Sequence, residues 1–371
     1  MENSDPFLKT QIITYMGNKR KLLSAIDDVV VQIKTDLKMD HLTIGDGFSG
    51  SGIVSRLMKK HASTLYTNDI AGYSETLNKC YLASPNKTKL REIQKYIDTA
   101  NESIINVTEP SPAWISKHWA PKSDTVLSGE RAYYTSDNSK RIDIIRNYIE
   151  TIPKSYQHFL LAPLLVESSI HNNTNGQFAA YFKGGNNIGA FGGKGKVDIK
   201  RITKPIQLNM PIFHSNSCNV KISKLDTNDW VKTLPHVDLV YYDPPYNKHP
   251  YNIYYFLLDI INNWDMTNPI PDTYRGQPKN WVKSDYNSLK YAETAMNNLI
   301  KMTNSTYILL SYNNGGIIPL ETIDSILETY GEVYRIPVVH KTYNKLKGLS
   351  NYKRKTDYKD VKEFLWLLKK Q

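Results

Sequence analysis

A strand, a glycine-rich turn, a helix and a second strand follow one another over residues 41–69. The apolar run 41–44 leads into the turn DGFSGSG at 46–52, a helical pattern follows, and the β-branched and aromatic run 64–68 ends on Asp69. This order of elements is typical of a βαβ unit, in which a helix connects two parallel strands. A chain built on such a unit is restricted to α/β folds.

The same alternation returns in the last part of the chain. Strands are predicted at 219–222, 238–242, 307–311, 333–339 and 363–368, with helices at 19–37, 254–262 and 317–330. Residues 81–214 lack this alternation and carry helical patterns, proline clusters and the basic stretch KGGNNIGAFGGKGK at 183–196. The sequence therefore predicts one doubly wound sheet from residues 1–80 and 215–371, interrupted by a mainly helical insert at 81–214.

Composition narrows the class of protein. The content of 40% hydrophobic and 22% charged residues is ordinary for a globular protein, and no window approaches the ~18 consecutive apolar residues of a membrane span. The polar N-terminus MENSDP lacks the features of a secretory signal, which predicts a cytoplasmic protein. Cys80 and Cys218 have no CxxC spacing, so neither a disulfide framework nor a zinc site is indicated.

The charge balance favours a polyanionic partner. The 47 basic residues exceed the 36 acidic ones, and the resulting net charge of +11 attracts nucleic acid through phosphate neutralisation. A basic protein with no nucleic-acid partner is the alternative. The 26 tyrosines offer planar faces on which bases stack, although most are expected to be packing residues.

The stretch VDLVYYDPPYN at 237–247 is an apolar strand that ends on an acid and two prolines. Proline cannot continue a central strand, so Asp243 is predicted to lie at the strand's end. The Asp243 carboxylate and the Pro244 carbonyl can each accept one N–H of an exocyclic amine, and Tyr246 can stack on its ring. This tetrapeptide therefore suits a planar heterocycle that carries an amino group.

The glycine turn at 46–52 indicates a second ligand. Open α/β sheets bind nucleotide-like cofactors at the carboxyl ends of their strands, and Asp69 is placed to accept hydrogen bonds from ribose hydroxyls. The third glycine of the dinucleotide fingerprint is absent, and Gly193-Lys194 is followed by glycine where a P-loop needs serine or threonine. A glycine turn that joins a strand to a helix without a ligand is the alternative.

Three motifs carry a family resemblance. YMGNKRK at 15–21, DGFSGSG at 46–52 and DPPY at 243–246 resemble, in order, the principal motifs of the D12 or Dam-like class of S-adenosylmethionine-dependent adenine-N6 DNA methyltransferases. The resemblance covers most of residues 11–83 and 215–370. It implies a Rossmann-like methyltransferase fold, S-adenosyl-L-methionine as cofactor, double-stranded DNA as substrate and a target adenine swung out of the duplex.

The resemblance also implies roles for individual residues. The catalytic residues would be Asp243, Pro244, Pro245 and Tyr246. The methionine end of the cofactor would be lined by Asp46, Phe48, Gly50 and Gly52, and its ribose would be bound by Asp69. The cofactor's adenine would be bound by Asp229 and Trp230, and the loop that closes over the cofactor would contain Tyr15, Gly17 and Lys19. Lys19 has an alternative interpretation, since a lysine before a helix is commonly solvated.

Basic residues provide candidate phosphate contacts. NTNGQFAAYFK at 173–183 resembles a segment of some of these methyltransferases, and the DNA-contact candidates are Arg131, Lys140, Arg141, Lys183 and Lys194. A solvated basic face is an equal alternative. HKTYNKLKGLSNYKRK at 340–355 is a further predicted phosphate clamp, whereas the aromatic stripe Tyr251, Tyr254 and Tyr255 is predicted to be mainly core.

Two other functions stay open at this point. The tetrapeptide does not separate a duplex from a single-stranded target, so an RNA adenine-N6 methyltransferase is an alternative, although the large insert favours duplex DNA. A catalytically silent DNA-binding subunit is the alternative from a different class, and the intact motifs disfavour it. A cytosine-N4 methyltransferase uses the same geometry but commonly carries serine at the position of Asp243, which disfavours that activity for this chain. The presence of a partner restriction endonuclease is left open.

Overall fold

The computed structural model describes residues 5–279, 283–337 and 362–371. Its strands are β1 (Leu42–Asp46), β2 (Ala62–Asn68), β3 (Asn219–Ser223), β4 (Val237–Tyr242), β5 (Ser305–Asn313), β6 (Gly331–Pro337) and β7 (Glu363–Lys370). Its helices are α1 (Pro6–Lys9), α2 (Leu23–Leu37), α3 (Ile53–Lys59), α4 (Gly72–Tyr81), α5 (Lys87–Asn106), α6 (Ile115–His118), α7 (Ser136–Thr151), α8 (Lys154–Ile170), α9 (Ile199–Thr203), α10 (Thr227–Thr233), α11 (Asn252–Asn263), α12 (Ala292–Met302) and α13 (Leu320–Glu328), with 3₁₀ turns at Lys19–Lys21, Lys194–Lys196 and Asp285–Asn287. None of the helices described is both long and apolar enough to cross a lipid bilayer.

The strands form a seven-stranded sheet in the order β3-β2-β1-β4-β5-β7-β6. Strands β1 to β5 run parallel, and β7 lies antiparallel between β5 and β6. The strand order reverses between β1 and β4, and such a switch point leaves a crevice at the carboxyl ends of the strands. The predicted doubly wound α/β sheet is confirmed.

Alternation along the strands supplies both faces of the sheet with apolar side chains. On β4, Leu239 and Tyr241 point into the core shared with α2 and α3, whereas Val240 and Tyr242 point into the core shared with α10, α12 and α13. Successive side chains of a strand face opposite sides, so a strand buried on both sides must be apolar throughout. This requirement explains the continuous apolar run before the DPPY tetrapeptide.

The segment between α4 and β3 is mainly helical. Helix α5 is capped by the Asn86 side chain, which accepts a hydrogen bond from an amide of its first turn, and it buries Ile93, Ile97 and Ala100 along one face. These residues belong to the same core as Tyr73 of α4 and Ile261 of α11. The helical segment thus packs directly against helices that flank the seven-stranded sheet, and its definition as a separate domain stays a prediction.

Helices α4, α10 and α12, which pack on the sheet, were not predicted from the sequence. The predicted helix at 19–37 is divided in the structure, because Asn18 caps the 3₁₀ turn Lys19–Lys21 and α2 begins only at Leu23. This division separates Lys19 from the solvated face of α2, which matters for the site described next.

Candidate active site

Loops from four parallel strands meet in one cleft. Its walls enclose about 820 Å³ including the open mouth, within the range of small-molecule sites. The carboxylates in its lining are Asp69, Asp226, Asp243 and Asp259, and the apolar and aromatic lining includes Tyr15, Phe48, Ile70, Tyr73, Pro245 and Tyr251. The charged side chains of the lining are carboxylates, which suit a cationic ligand, and its aromatic side chains suit a ligand with a planar ring.

The glycine turn after β1 is tied to the end of β2. Gly50 has a φ of +51° and its amide donates to Asp69 Oδ2 at 2.7 Å, while Asp69 Oδ1 accepts from the Ala71 amide at 2.9 Å. A Cβ on Gly50 would lie 3.1 Å from the Tyr15 ring. Phe48 and Gly50 line the cleft, whereas Gly52 begins α3 and faces the side chain of Asn78.

Asp46 lies beneath this turn and does not line the cleft. Its side chain is fully buried, Oδ2 accepts from the Ser55 hydroxyl at 2.6 Å, and Oδ1 has no hydrogen-bond partner among the described residues. Burial raises the pKa of Asp46 to about 7, although the Ser55 hydrogen bond opposes the rise. Asp46 therefore supports the glycine turn from below and does not meet a ligand in the cleft directly.

An aromatic stack holds the N-terminal loop over the cleft. The Tyr15 ring stacks on Tyr251 with centroids 5.3 Å apart and on Tyr255 at 4.7 Å, and the Met16 amide donates to the Tyr255 hydroxyl at 2.5 Å. Tyr15 and Gly17 both line the cleft, and the closing of this loop over a cofactor stays a prediction. Tyr255 is buried in the core, but Tyr251 packs on the core and also lines the cleft.

Asp243 follows β4 and is paired with a buried cation. Its Oδ1 lies 3.1 Å from the Lys19 ammonium, which lies 3.1 Å from Glu363 Oε2 on β7. Burial raises the pKa of Asp243 to about 6, against the lowering effect of Lys19. Burial also works to lower the pKa of Lys19, but the two carboxylates hold it well above its ordinary value. Lys19 therefore lies behind Asp243 and is neither solvated nor part of the cleft lining.

The other residues of the tetrapeptide support this carboxylate. Pro244 is buried and Pro245 lines the cleft. Tyr246 packs edge-on against Tyr312 with ring centroids 6.1 Å apart, and the Lys19 ammonium lies 5.8 Å from the Tyr246 ring centroid. The Tyr246 end of the tetrapeptide is thus held by contacts from Tyr312 and Lys19.

The end of β3 contributes Asp226 and Thr227, which line the cleft. Asp226 caps α10 by accepting from the Asn228 amide at 2.8 Å. The structure does not place the predicted adenine ligands there: Asp229 is 67% exposed and pairs with Lys232, and Trp230 is buried against the main chain of Gly45. The sequence signal for Asp226 is its place just after a strand, the same place that Asp69 and Asp243 occupy.

The sequence comparisons agree with this arrangement. The profile of the D12 class of N6 adenine-specific DNA methyltransferases matches residues 15–296 of the chain. The chain belongs to this family. Its reaction is accordingly the methylation of adenine at N6 in DNA.

Named relatives have the same kind of activity. The methyltransferase is 27% identical to the type II methyltransferase M.NlaIII of Neisseria lactamica over 366 residues, which are 96% of this chain and 99% of the relative. It is 28% identical to the modification methylase StsI of Streptococcus sanguinis, over 93% of this chain and 50% of the relative. It is also 28% identical to the type II methyltransferase M.FokI of Planomicrobium okeanokoites, over 96% of this chain and 52% of the relative.

Asp259 of α11 is a further acid of the methyltransferase's cleft that the sequence reasoning missed. Burial raises its pKa to about 7, Asp69 adds to the rise, and Lys224 opposes it. Its only sequence signal is a polar position within the aromatic and apolar helix that follows DPPY.

The predicted phosphate contacts of the methyltransferase differ in their availability. The Arg131 guanidinium donates to the carbonyls of His118, Pro271 and Thr273, so its nitrogens are engaged within the protein. Lys140 forms an ion pair with Glu109 and Arg141 with Asp137. Lys194 is exposed in its 3₁₀ turn, and the predicted clamp at 340–355 lies outside the described residues.

Lys183 belongs to a basic and aromatic cluster at the surface. Its ammonium lies 4.6 Å from the ring centroid of Tyr274 and 5.6 Å from that of Tyr181, and the Arg275 guanidinium lies 5.0 Å from the Tyr274 centroid. Tyr274 is 48% exposed. We call Lys183, Tyr274 and Arg275 the basic-aromatic cluster.

Proposed function

We propose that the methyltransferase takes its methyl group from S-adenosylmethionine bound in this cleft and transfers it to an adenine rotated out of duplex DNA. The observation that carries the proposal is the convergence of Asp69, Asp226 and Asp243, which follow β2, β3 and β4, on one cleft. Strand-end carboxylates around a glycine turn provide acceptors for a nucleoside at one end and for an amine at the other.

The lining of the cleft fits S-adenosylmethionine. Asp69 already accepts two main-chain hydrogen bonds, but a carboxylate has about four acceptor positions, so it retains capacity for ribose hydroxyls. Asp226 and Ile70 both line the cleft. The Asp226 carboxylate can accept a hydrogen bond from the amino group of an adenine, and the Ile70 side chain can pack on the face of the ring. The acidic lining also complements the positive sulfonium and ammonium groups of this donor.

Asp243 and its neighbours provide the chemistry on the acceptor side. When bound, S-adenosylmethionine would supply an electrophilic methyl group to N6 of the target adenine: the N6–methyl bond would form as the sulfur–methyl bond breaks, and S-adenosylhomocysteine would leave. Asp243 and the Pro244 carbonyl accept the two N6 hydrogens, which orients the nitrogen lone pair and stabilises the positive charge that develops on it. Asp243 need not be a strong base, because N6 loses its proton readily once methylation has made it cationic.

Base rotation follows from the position of the tetrapeptide. Adenine N6 cannot reach an enclosed methyl group while the base is stacked, and rotation costs a few kcal/mol. Stacking on Tyr246 and the hydrogen bonds at Asp243 offset part of that cost. Contact with the Tyr312 ring supports Tyr246 in this role, and the absence of a side chain at Gly17 leaves room for the Tyr246 hydroxyl.

We assign phosphate contacts to the basic-aromatic cluster and to Lys194. The segment that carries Tyr274 and Arg275 is tied to the helical part of the chain, since Arg131 donates to the carbonyls of Pro271 and Thr273 and Trp119 Nε1 donates to that of Arg275. Arg131 thus supports the cluster and is not itself a phosphate ligand. Cations held over an aromatic ring suit contact with the phosphate backbone and exposed bases.

A role in restriction-modification is suggested by the relatives, several of which are named type II methyltransferases or modification methylases. A companion endonuclease would recognise the sequence that this enzyme methylates. Single-molecule sequencing of DNA from cells that express the chain would identify the modified base and its sequence context, and DNA from cells expressing Asp243→Asn is the control.

The test of the function is a methyl-transfer assay with the purified chain, S-adenosylmethionine labelled on its methyl group, and duplex DNA. We expect label in DNA as N6-methyladenine, and Asp243→Asn to reduce the rate by at least about 100-fold with donor affinity changed less than about threefold. In a parallel assay with RNA of the same sequence, label incorporated into RNA but not into DNA would contradict the proposal, as would equal rates for the two proteins. Calorimetric titration with S-adenosylmethionine separates loss of binding from loss of chemistry.

A further inference from the structure

Lys19 connects two carboxylates that lie far apart in the sequence. Its ammonium is 3.1 Å from Asp243 at the end of β4 and 3.1 Å from Glu363 at the start of β7. The side chains of Lys19 and Glu363 are 4% and 9% exposed, and that of Asp243 is 18% exposed and reaches the cleft. Asp243 is therefore the member of this acid-base-acid chain that can meet a ligand.

We propose that Glu363 is a positioning residue for methyl transfer: acting through Lys19, it sets the orientation and the effective charge of the Asp243 carboxylate without touching the target base. This inference rests on the role of Asp243 proposed above. It assigns a function in the reaction to a strand that none of the three motifs includes.

Glu363 changes the net charge of the buried cluster that contains Asp243. A buried carboxylate paired with a single ammonium forms a neutral pair, and the ammonium then opposes the positive charge that develops on N6. A second carboxylate on the far side of the ammonium brings the total charge of the three groups to −1. Lys19 can then keep Asp243 ionised in a buried position while the cluster still attracts a cationic nitrogen.

Glu363 also fixes the position of Lys19, because it lies on a strand of the sheet. Glu363 lies in register opposite Asn313 of β5, within the ladder that joins β7 to the sheet. The carboxylate is consequently held on a rigid element, whereas Lys19 is in a short 3₁₀ turn. Anchoring a flexible lysine side chain between two carboxylates restricts the positions that Asp243 can adopt, and catalytic groups require this kind of second support.

Several other groups contribute to the field at Asp243. Among the residues that the structure describes, the titratable groups that interact electrostatically with it include Lys19, Asp46, Tyr241, Tyr246, Tyr251 and Glu363. The pKa values of the three tyrosines are raised, that of Tyr246 to about 12, so the tyrosines stay neutral across the acidic range. Burial raises the pKa of Asp46 to about 7, but this residue is the same in every variant below, so it contributes equally to each pH profile.

The test is the pH dependence of the single-turnover methyl-transfer rate, with saturating S-adenosylmethionine and duplex DNA. Asp243 is active when ionised, so the rate of the wild-type enzyme falls as the pH decreases through the pKa of this carboxyl. Glu363→Gln removes a negative charge that raises this pKa, and we expect the acid limb to move down by about one pH unit. The plateau rate should also fall about tenfold, because the cluster loses its net negative charge.

Two further variants give the matched comparisons. Glu363→Asp keeps the charge and should restore the position of the acid limb. Lys19→Met removes the cation and should move the acid limb upward, opposite to the shift for Glu363→Gln. If Lys19→Met does not fold, as judged by circular dichroism, Glu363→Gln and Glu363→Asp alone decide the question.

The outcomes separate this inference from the proposed function. An inactive Asp243→Asn together with an unchanged plateau and acid limb in Glu363→Gln would overturn the inference alone, as would an upward shift in that variant. Equal rates for the wild-type enzyme and Asp243→Asn would instead overturn the role of Asp243, and the inference with it. A donor affinity within about threefold of wild type in Glu363→Gln is expected from indirect action, and a larger loss would count against it.

Discussion

Gly17 lies so close to Tyr246 that a Cβ at this position would fall 2.8 Å from the tyrosine hydroxyl. Gly17 lines the cleft, and Tyr246 ends the DPPY tetrapeptide, of which Asp243 and Pro245 line the same cleft. The N-terminal loop therefore packs closely against the tetrapeptide, and we expect a larger side chain at position 17 to displace it.

Gly17→Ala should impair catalysis more than folding. The residue has a φ of +76°, so alanine adds backbone strain of about 1 kcal/mol and also forces the loop away from Tyr246. We expect kcat to fall at least about tenfold. Gly129→Ala is the control, because Gly129 has a φ of +88° with nothing within 4 Å of its would-be Cβ. Equal losses of kcat in the two variants would contradict the argument.

The pH dependence of kcat should show an acid limb that reports Asp243. Burial raises the pKa of this carboxyl to about 6, so the ionised form predominates above pH 6 and is lost below it. Methyl transfer under saturating conditions should therefore decline as the pH is lowered from 7 to 5. A rate that stays constant over this interval would show that ionisation of Asp243 is not required.

Asp226 and Asp229 provide a matched pair for cofactor recognition. Asp226→Asn keeps the cap of α10, since asparagine is an equally good capping residue, but it removes the carboxylate from the cleft. We expect the Kd for S-adenosylmethionine to rise about tenfold, as for the loss of one charge-assisted hydrogen bond. Asp229→Asn alters an exposed residue and should leave the Kd unchanged. The reverse ranking, measured by calorimetry, would restore the adenine role predicted for Asp229.

Lys183→Ala combined with Lys194→Ala should weaken DNA binding and lower its salt dependence. Removing one lysine–phosphate ion pair reduces the slope of log K against log salt by about 0.9. The control is Lys79→Ala with Lys232→Ala, which changes the net charge equally but removes lysines that are paired with Glu75 and Asp229. Equal slopes for the two double variants in fluorescence anisotropy titrations would show that Lys183 and Lys194 do not contact the DNA phosphates.

Arg131 should behave as a structural residue. Arg131→Met leaves the partly buried carbonyls of His118 and Pro271 and the exposed carbonyl of Thr273 without their donor. An acceptor that is shielded from water costs about 1–3 kcal/mol when unpaired, so the loss is expected mainly at His118 and Pro271. We expect a lower Tm and a DNA-binding salt slope unchanged from wild type. A reduced slope with an unchanged Tm would restore the phosphate role predicted from the sequence.

Much of the fold could be predicted because local patterns and the topology of the sheet agree. The apolar run before Asp243 is a central strand buried on both faces, and the glycine turn follows the neighbouring strand, as expected. The break between Lys19 and α2 was not predictable, because a helical pattern does not reveal where the side chain of Asn18 caps a turn. The adenine contact predicted for Asp229 came from the resemblance of TNDW at 227–230 to a family motif, and sequence resemblance does not reveal that α10 begins at Thr227 and leaves Asp226, its cap, in the cleft lining.

The amino-acid sequence by itself determined the class of sheet, the motif residues and the placement of acids after parallel strands, since these depend on periodicity and on residues that are neighbours in the chain. The tertiary structure alone decided that Lys19 joins Asp243 to Glu363, that Tyr15 stacks on Tyr255, and that the Arg131 guanidinium donates to main-chain carbonyls such as that of Pro271. Contacts of this kind depend on which strands become neighbours and on the direction in which each side chain leaves its element. Neither property is encoded within the short window of sequence that surrounds a single residue.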